Sequence, residues 1–205
     1  MRTISREVIN DPSETTRRLR RKNILAKITI AYLQGILGGA TYSKIHKTYR
    51  ISQSNRDWLE LIKNLLWDVG DKSWIYKEGK NRNVYVLETT SKKLSIDFDP
   101  INLRSDDEKI AYIRGYFDAE GGTSRDEKVR FYLQFAEKNK TRLEKVRNLL
   151  GQLGIEGGRI HCPSSNKDPN YWRFYVRVKS YNRFISKIGS WHPRKQKIFL
   201  NRKKI

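Results

Sequence analysis

Ala111-Tyr112-Ile113-Arg114-Gly115-Tyr116-Phe117-Asp118-Ala119-Glu120-Gly121-Gly122 is an apolar stretch with helical spacing. It sets two small residues, Gly115 and Ala119, four apart and ends on a carboxylate. Ile30-Ala31-Tyr32-Leu33-Gln34-Gly35-Ile36-Leu37-Gly38-Gly39-Ala40-Thr41 repeats the pattern 80 positions earlier. Gly35 and Gly39 match Gly115 and Ala119, and Ala40 stands at the place of Glu120. Glycine inside a helix costs about 1 kcal/mol relative to alanine. Small residues four apart share one helix face and let two backbones approach closely. The pair therefore predicts two helices packed on each other about a pseudo-twofold axis, with Glu120 and Ala40 at one end of their interface.

The chain of 205 residues is long enough for one domain or two small ones, and 37% hydrophobic residues can form a core. Its 43 basic residues against 22 acidic ones give a formal charge of +21, which points to a polyanionic partner. A single cysteine, Cys162, excludes a disulfide framework and fits a reducing intracellular compartment, cytoplasm or nucleoid. No apolar run approaches the ~20 residues of a membrane span, so no membrane partner is expected.

In chain order, residues 1–28 read as a basic extension, with Arg17, Arg18, Arg20, Arg21 and Lys22 ahead of the first apolar periodicity. Residues 41–53 alternate as a hairpin or a long bent strand. Asn55 caps an amphipathic helix that Gly70 ends, and strands follow at 73–77 and 83–90. Residues 91–97 are expected to add a short helix before a linker at 99–106. The second half repeats the order: a strand at 129–135, a helix from the Asn139 cap to Gly154, strands at 157–163 and 172–178, and two terminal helices. The fold class is thus α+β, two αββαββα repeats (29–98 and 107–205) related by a pseudo-twofold. Two four-stranded antiparallel sheets would form a saddle.

Alternating strands place one face on helices and leave the other open. Here the open face reads as basic, aromatic and amide residues without mixed charge, which suits double-stranded DNA. Candidate contacts in the first half are Tyr42, Lys44, His46, Arg50, Lys77, Lys80, Arg82 and Tyr85. In the second half they are Arg125, Lys128, Arg130, Tyr132, Arg159, His161, Asn166, Lys167, Arg173, Tyr175 and Arg177. His46, His161 and His192 lack metal-ligand spacing and read as DNA-facing or structural.

Over residues 28–203 the chain resembles the single-chain, two-motif LAGLIDADG homing endonucleases. Residues 113–121 fit their nine-residue signature closely, and residues 33–41 fit through their glycines and aliphatic residues. The resemblance implies a monomer that cleaves a long pseudo-palindromic site in double-stranded DNA with Mg2+ or another divalent cation. It implies Glu120 as a catalytic metal ligand, Ala40 as the position of the partner acid, and Gly39 and Ala119 as their backbone neighbours in the metal site. Supporting catalytic roles would fall on Gln53, on Glu137 or Lys138, and on a lysine, Lys195 or Lys197 at one end of the chain or Lys92 or Lys93 in the middle. Alanine cannot ligate a cation, so cleavage should be impaired while helix packing survives. Three origins of Ala40 are open: an engineered replacement of Asp, a splicing maturase or a decayed endonuclease. The intact second motif favours the first. The alternative function is an RNA-binding intron maturase or a non-cleaving DNA-binding protein of the same fold.

Overall fold

The computed structural model describes residues 12–125 and 128–202. Two long helices form its centre, α1 (Pro12–Ile36) and α3 (Asp106–Glu120). Their crossing is built on the paired glycines. A Cβ on Gly35 would overlap the carbonyl oxygen of Tyr112 and lie 2.8 Å from the amide of Tyr116. One on Gly115 would overlap the carbonyl oxygen of Tyr32 and lie 3.3 Å from the amide of Ile36. The contacts are reciprocal at an offset of 80 residues, as a pseudo-twofold axis requires. Buried Tyr32, Ile36, Tyr112, Ile113, Tyr116 and Phe117 fill the space around the crossing.

Each helix runs directly into an antiparallel sheet. The first sheet has the order β1-β2-β4-β3, from β1 (Thr41–Ser43), β2 (Thr48–Gln53), β3 (Ser73–Lys77) and β4 (Tyr85–Thr89). The first two strands form a hairpin in which Thr41 pairs with Arg50 and Ser43 with Thr48. Helix α2 (Arg56–Asp68) covers the sheet and buries Trp58, Leu59, Ile62 and Leu66. Asn55 caps it by accepting from the Trp58 amide at 2.8 Å, and Gly70 takes the left-handed conformation (φ +83°) that stops it.

The second repeat follows with β5 (Gly121–Thr123), β6 (Leu133–Glu137), α4 (Lys140–Gln152) and β7 (Trp172–Tyr175). Asn139 caps α4 as Asn55 caps α2. Helices α5 (Tyr181–Lys187) and α6 (Pro193–Arg202) return to α3, where Phe184 meets Phe117 edge-on and Phe199 stacks on it.

The structure corrects several sequence expectations. Helix α1 begins at Pro12, so residues 12–28 of the presumed extension continue the motif helix; residues 1–11 lie outside the described residues. Leu, Arg, Lys and Ala are strong helix formers, and the first repeat's helix propagates through the basic run. Residues 91–97 form turns instead of a helix because Gln34 binds both backbone groups of Ser95, accepting from its amide at 3.0 Å and donating to its carbonyl. The second sheet has three strands, β5-β6-β7, not four. The expected strand at 157–163 makes only two bridges to the β7 side, Gly157 with Val176 and His161 with Arg173. The register slips by one residue between them, a bulge between Gly158 and His161. The strand expected from Val129 starts at Leu133, whose β5 partner Thr123 is the last residue of that strand. Val178 leaves the sheet for a 3-10 turn and is exposed.

Gly115→Ala is expected to lower the unfolding free energy by about 1–3 kcal/mol, the usual range for overpacking a core. Gly151→Ala, in α4 with nothing within 4 Å of the added Cβ, should raise it by up to about 1 kcal/mol. Urea unfolding of both variants measures the contrast.

Candidate functional site

Glu120 is the last residue of α3, half-buried where that helix passes into β5. Its carboxylate lies over Gly39: a Cβ there would overlap Oε1, and one on Gly38 would lie 3.8 Å from Cγ. Ala40 follows at the end of the 3-10 turn Leu37–Gly39, extended (φ −92°, ψ 156°), its amide donating to Leu37 O at 3.2 Å. The two motif ends therefore meet, with a carboxylate on one side and a methyl group on the other. Burial pushes the Glu120 carboxyl up, and the positive charges of Lys195 and Arg142 partly offset it.

Lys195 is buried beside this junction. Its Nζ donates to the carbonyls of Phe117 and Asp118, the latter at 3.0 Å, and sits 4.7 Å from the Phe117 ring centroid. It thereby satisfies carbonyls at the end of α3 and places a cation at the negative end of the helix dipole. Desolvation lowers its pKa to about 8, against the opposing pull of Asp118 and Glu120. Of the candidate lysines only this one joins Glu120: Lys92 and Lys197 are exposed, and Lys93 pairs with Asp71 at 2.9 Å.

Gln53 and Glu137 end equivalent strands, β2 and β6, with the parity of the core residues Ile51 and Phe135. Both therefore leave the sheet on the helix side. Gln53 lines an open cleft of about 390 Å³ with Asn83, Ala119, Gly121, Arg194 and Lys195. Glu137 is held elsewhere, accepting from Tyr116 Oη and pairing with Arg142 at 3.2 Å. Burial raises its pKa, and Glu120 adds to the rise. Lys138 is exposed beyond the strand end.

Asp118 was legible only as a carboxylate pointing away from Glu120. It is 1% exposed and accepts from Tyr32 Oη at 2.8 Å, from the Trp191 amide at 2.9 Å and from Ser190 Oγ. Tyr32 Oη in turn accepts from Trp58 Nε1 at 3.0 Å. One buried carboxylate thus ties α1, α2, α3 and the segment carrying Lys195 together. The sequence signal was available: an aspartate in an apolar helix needs buried donors. His192 is buried against Trp58, and desolvation lowers its pKa to about 4, which keeps the ring neutral.

The two open sheet faces differ. On the first, Arg50 pairs with Glu88 at 3.0 Å and Glu78 at 3.5 Å and donates to Tyr76 Oη at 2.9 Å, which corrects the expectation of a face without acids. Tyr85 packs towards the core under Arg56, off the open face. Tyr42 and Lys77 are exposed but lie opposite Tyr49 and Tyr85 and so share their helix-side parity, which corrects their expected place on the open face. Lys44 and His46 in the β1–β2 turn and Lys80 and Arg82 between β3 and β4 are exposed. On the second face Arg173 lies 5.4 Å from the Tyr175 ring centroid and donates to His161 Nε2 at 3.3 Å, while Tyr132 meets Tyr175 edge-on. Arg130, Arg159 and Arg177 rim the same depression, of about 710 Å³. Arg125, Lys128, Asn166 and Lys167 are exposed in flanking loops.

These features define a two-repeat α+β protein whose paired helices end at a carboxylate between two sheets with exposed basic side chains. A family model described as LAGLIDADG-like domain matches residues 107–189. I-DmoI, described as a homing endonuclease, aligns in its complex with DNA and Mn at 25% identity and a TM-score of 0.59. That alignment covers 80% of this chain and 97% of that one. Its complex with DNA and Ca aligns at 23% identity and a TM-score of 0.61, covering 86% and 98%. Full-length DUF199/WhiA from Thermatoga maritima shares the fold at 16% identity and a TM-score of 0.63, over 88% of this chain and 62% of that one. No curated protein matches in sequence. Residues 107–189 are thus similar to a LAGLIDADG-like domain, and the chain shares its fold with I-DmoI.

Lys195 titrates near 8 in the fold, below its ordinary value of 10.5. Below pH 8 both folded and unfolded chains carry the proton; between about 8 and 10.5 the unfolded chain binds more, so stability rises with pH. The unfolding free energy of the wild type minus that of Lys195→Met should therefore increase across this window, measured by urea titration at fixed pH steps.

Proposed function

We infer that the chain is a site-specific endonuclease for double-stranded DNA, recognising a long pseudo-palindromic site, whose cleavage is weakened by Ala40. The observation that carries this reading is the meeting of Glu120 with Gly39 and Ala40 at the end of the helix pair, between the two sheets. I-DmoI has been solved with DNA and with Mn, Mg or Ca, which supports a divalent cation and a DNA partner for this fold.

The donor set fits such a cation in part. Glu120 offers one carboxylate, and among the described residues no group of three or more His, Cys, Asp or Glu adjoins it. Magnesium bound by one or two carboxylates and completed by substrate phosphate needs no more. Glu120 would hold the ion; Ala40 leaves the other side of the junction without a side-chain ligand. When bound, the ion supplies charge neutralisation at the reacting phosphate and a better nucleophile and leaving oxygen.

The remaining work falls to the chain. Lys195 holds the end of α3 and favours the ionised form of Glu120 against burial. Gln53, carried to the cleft by the parity of β2, can accept and donate hydrogen bonds to a water beside the scissile phosphate. Arg130, Arg159, Arg173 and Arg177 at one sheet and Lys44, Lys80 and Arg82 in the turns of the other bind backbone phosphates or guanine edges. The second reading, a DNA-binding protein that does not cleave, is favoured by Ala40 itself.

Ala40→Asp separates the two. With Mg2+ and a duplex selected for binding from a random library, this variant is expected to cut both strands. Its rate should exceed that of the present chain by more than the roughly 10–100-fold typical of changes around a metal site. Tight binding of the selected duplex by Ala40→Asp with no cleavage would leave the non-cleaving reading.

A further inference from the structure

Helix α1 is longer than its pseudo-twofold partner. Asp106, the first residue of α3, corresponds to Ala26, so residues 12–25 project beyond the start of α3, and residues 16–25 are all exposed. This projection carries Arg17, Arg18, Arg20, Arg21 and Lys22, with Lys27 just below, and no aspartate or glutamate occurs from residue 15 to residue 56. At 1.5 Å per residue, Lys22 and Arg17 lie about 21 and 29 Å back along the axis from Ile36. Both sheets leave from the opposite, C-terminal ends of α1 and α3, so the basic projection stands on the reverse side of the molecule from Glu120.

The charge is costly to the helix that bears it. Arg17 and Arg21, and Arg18 and Lys22, are like charges four apart, and Arg17 with Arg20 and Arg18 with Arg21 are three apart. Such pairs repel on a helix surface. The acidic first turn of α3 makes local bonds, Lys109 with Asp106 at 3.5 Å and Glu108 with the Arg104 amide at 2.8 Å. At 100° per residue the six cations cover about 220° of the circumference, and Leu19, Ile24 and Leu25 fall on three separate faces. A membrane surface would need those apolar residues on one side, and a protein partner would need an apolar anchor. A lone helix with cations on most of its circumference fits the major groove of a duplex, ~12 Å wide with phosphates on both walls.

We propose that the α1 projection is a second, sequence-independent binding site for double-stranded DNA, which holds a DNA segment other than the one in the saddle. Phosphates between the arginines relieve their repulsion, so binding also firms the helix. The site uses none of the residues assigned to cleavage and stands or falls separately from the endonuclease reading.

The test uses the full chain and two 16-bp duplexes of unrelated random sequence, one biotinylated and one fluorescent. The wild type should capture the fluorescent duplex on immobilised biotinylated duplex. The variant Arg17→Gln, Arg18→Gln, Arg20→Gln, Arg21→Gln, Lys22→Gln should lose this bridging while binding a single duplex within about threefold. The log–log salt slope of the lost event should be about −2 or steeper, at about −0.9 per phosphate contact. Hydrogen exchange on the wild type gives a readout independent of the variant's folding: amides 17–25 should gain protection when the second equivalent of duplex is added. Capture of a single duplex that the variant loses would uphold this site and remove the saddle reading. Undiminished bridging by the variant, unchanged exchange at 17–25, or at least tenfold preference of the projection for an RNA duplex would overturn the proposal.

Discussion

Contact between two helix backbones at Gly35 and Gly115 is the constraint on which the rest of the molecule depends. Each glycine accommodates a carbonyl oxygen of the opposite helix, so neither position tolerates even a methyl group without the axes separating. Because each helix passes into its sheet within a few residues, the crossing also fixes how the sheets sit relative to each other and where the two motif ends meet. A separation of 1 Å at the glycines would be felt at Glu120, which lies over Gly39 with no side chain between them. Close approach of the helices and geometry of the site are therefore one requirement.

Around that axis the symmetry is incomplete, and the departures concentrate at the site. Asp118 has Gly38 as its counterpart, so the buried Tyr32–Asp118 link exists on one side of the pseudo-twofold only. The same link holds Ser190 and Trp191 and hence the approach of Lys195 to the end of α3. Glu120 has Ala40 opposite it, and Gln53 has Glu137, which is taken up by Tyr116 and Arg142. The open faces diverge too, one carrying Glu78 and Glu88 beside Arg50 and the other an arginine–tyrosine–histidine cluster.

The helix pair was legible in the sequence because its signal is local and repeated: small residues four apart have one economical use, and two copies in register name their own partner. The Asn55 and Asn139 caps and the alternation of Leu133 and Phe135 were legible for the same reason. What escaped depends on groups distant in sequence. Glu88 neutralises Arg50 only because β2 pairs with β4 in a register that sets those residues opposite. The turns at 91–97 replace a helix because Gln34, some sixty residues away, claims the backbone of Ser95. Asp118 looked like a spare acid until its three donors, from α1 and from the 190–191 segment, were in place. Of the lysines offered by the family resemblance, burial singled out Lys195, and no sequence pattern distinguishes it from Lys197.

The central claim is that Glu120 and the two sheets address the same duplex. A crystal structure of the chain with a selected duplex and Ca2+ tests it most directly. The account predicts the duplex across both sheets and an ion about 2.3–2.6 Å from the Glu120 carboxylate, shared with a backbone phosphate and without a side-chain ligand from Ala40. A duplex bound away from the sheets, or one across them with Glu120 remote from every phosphate, would contradict it.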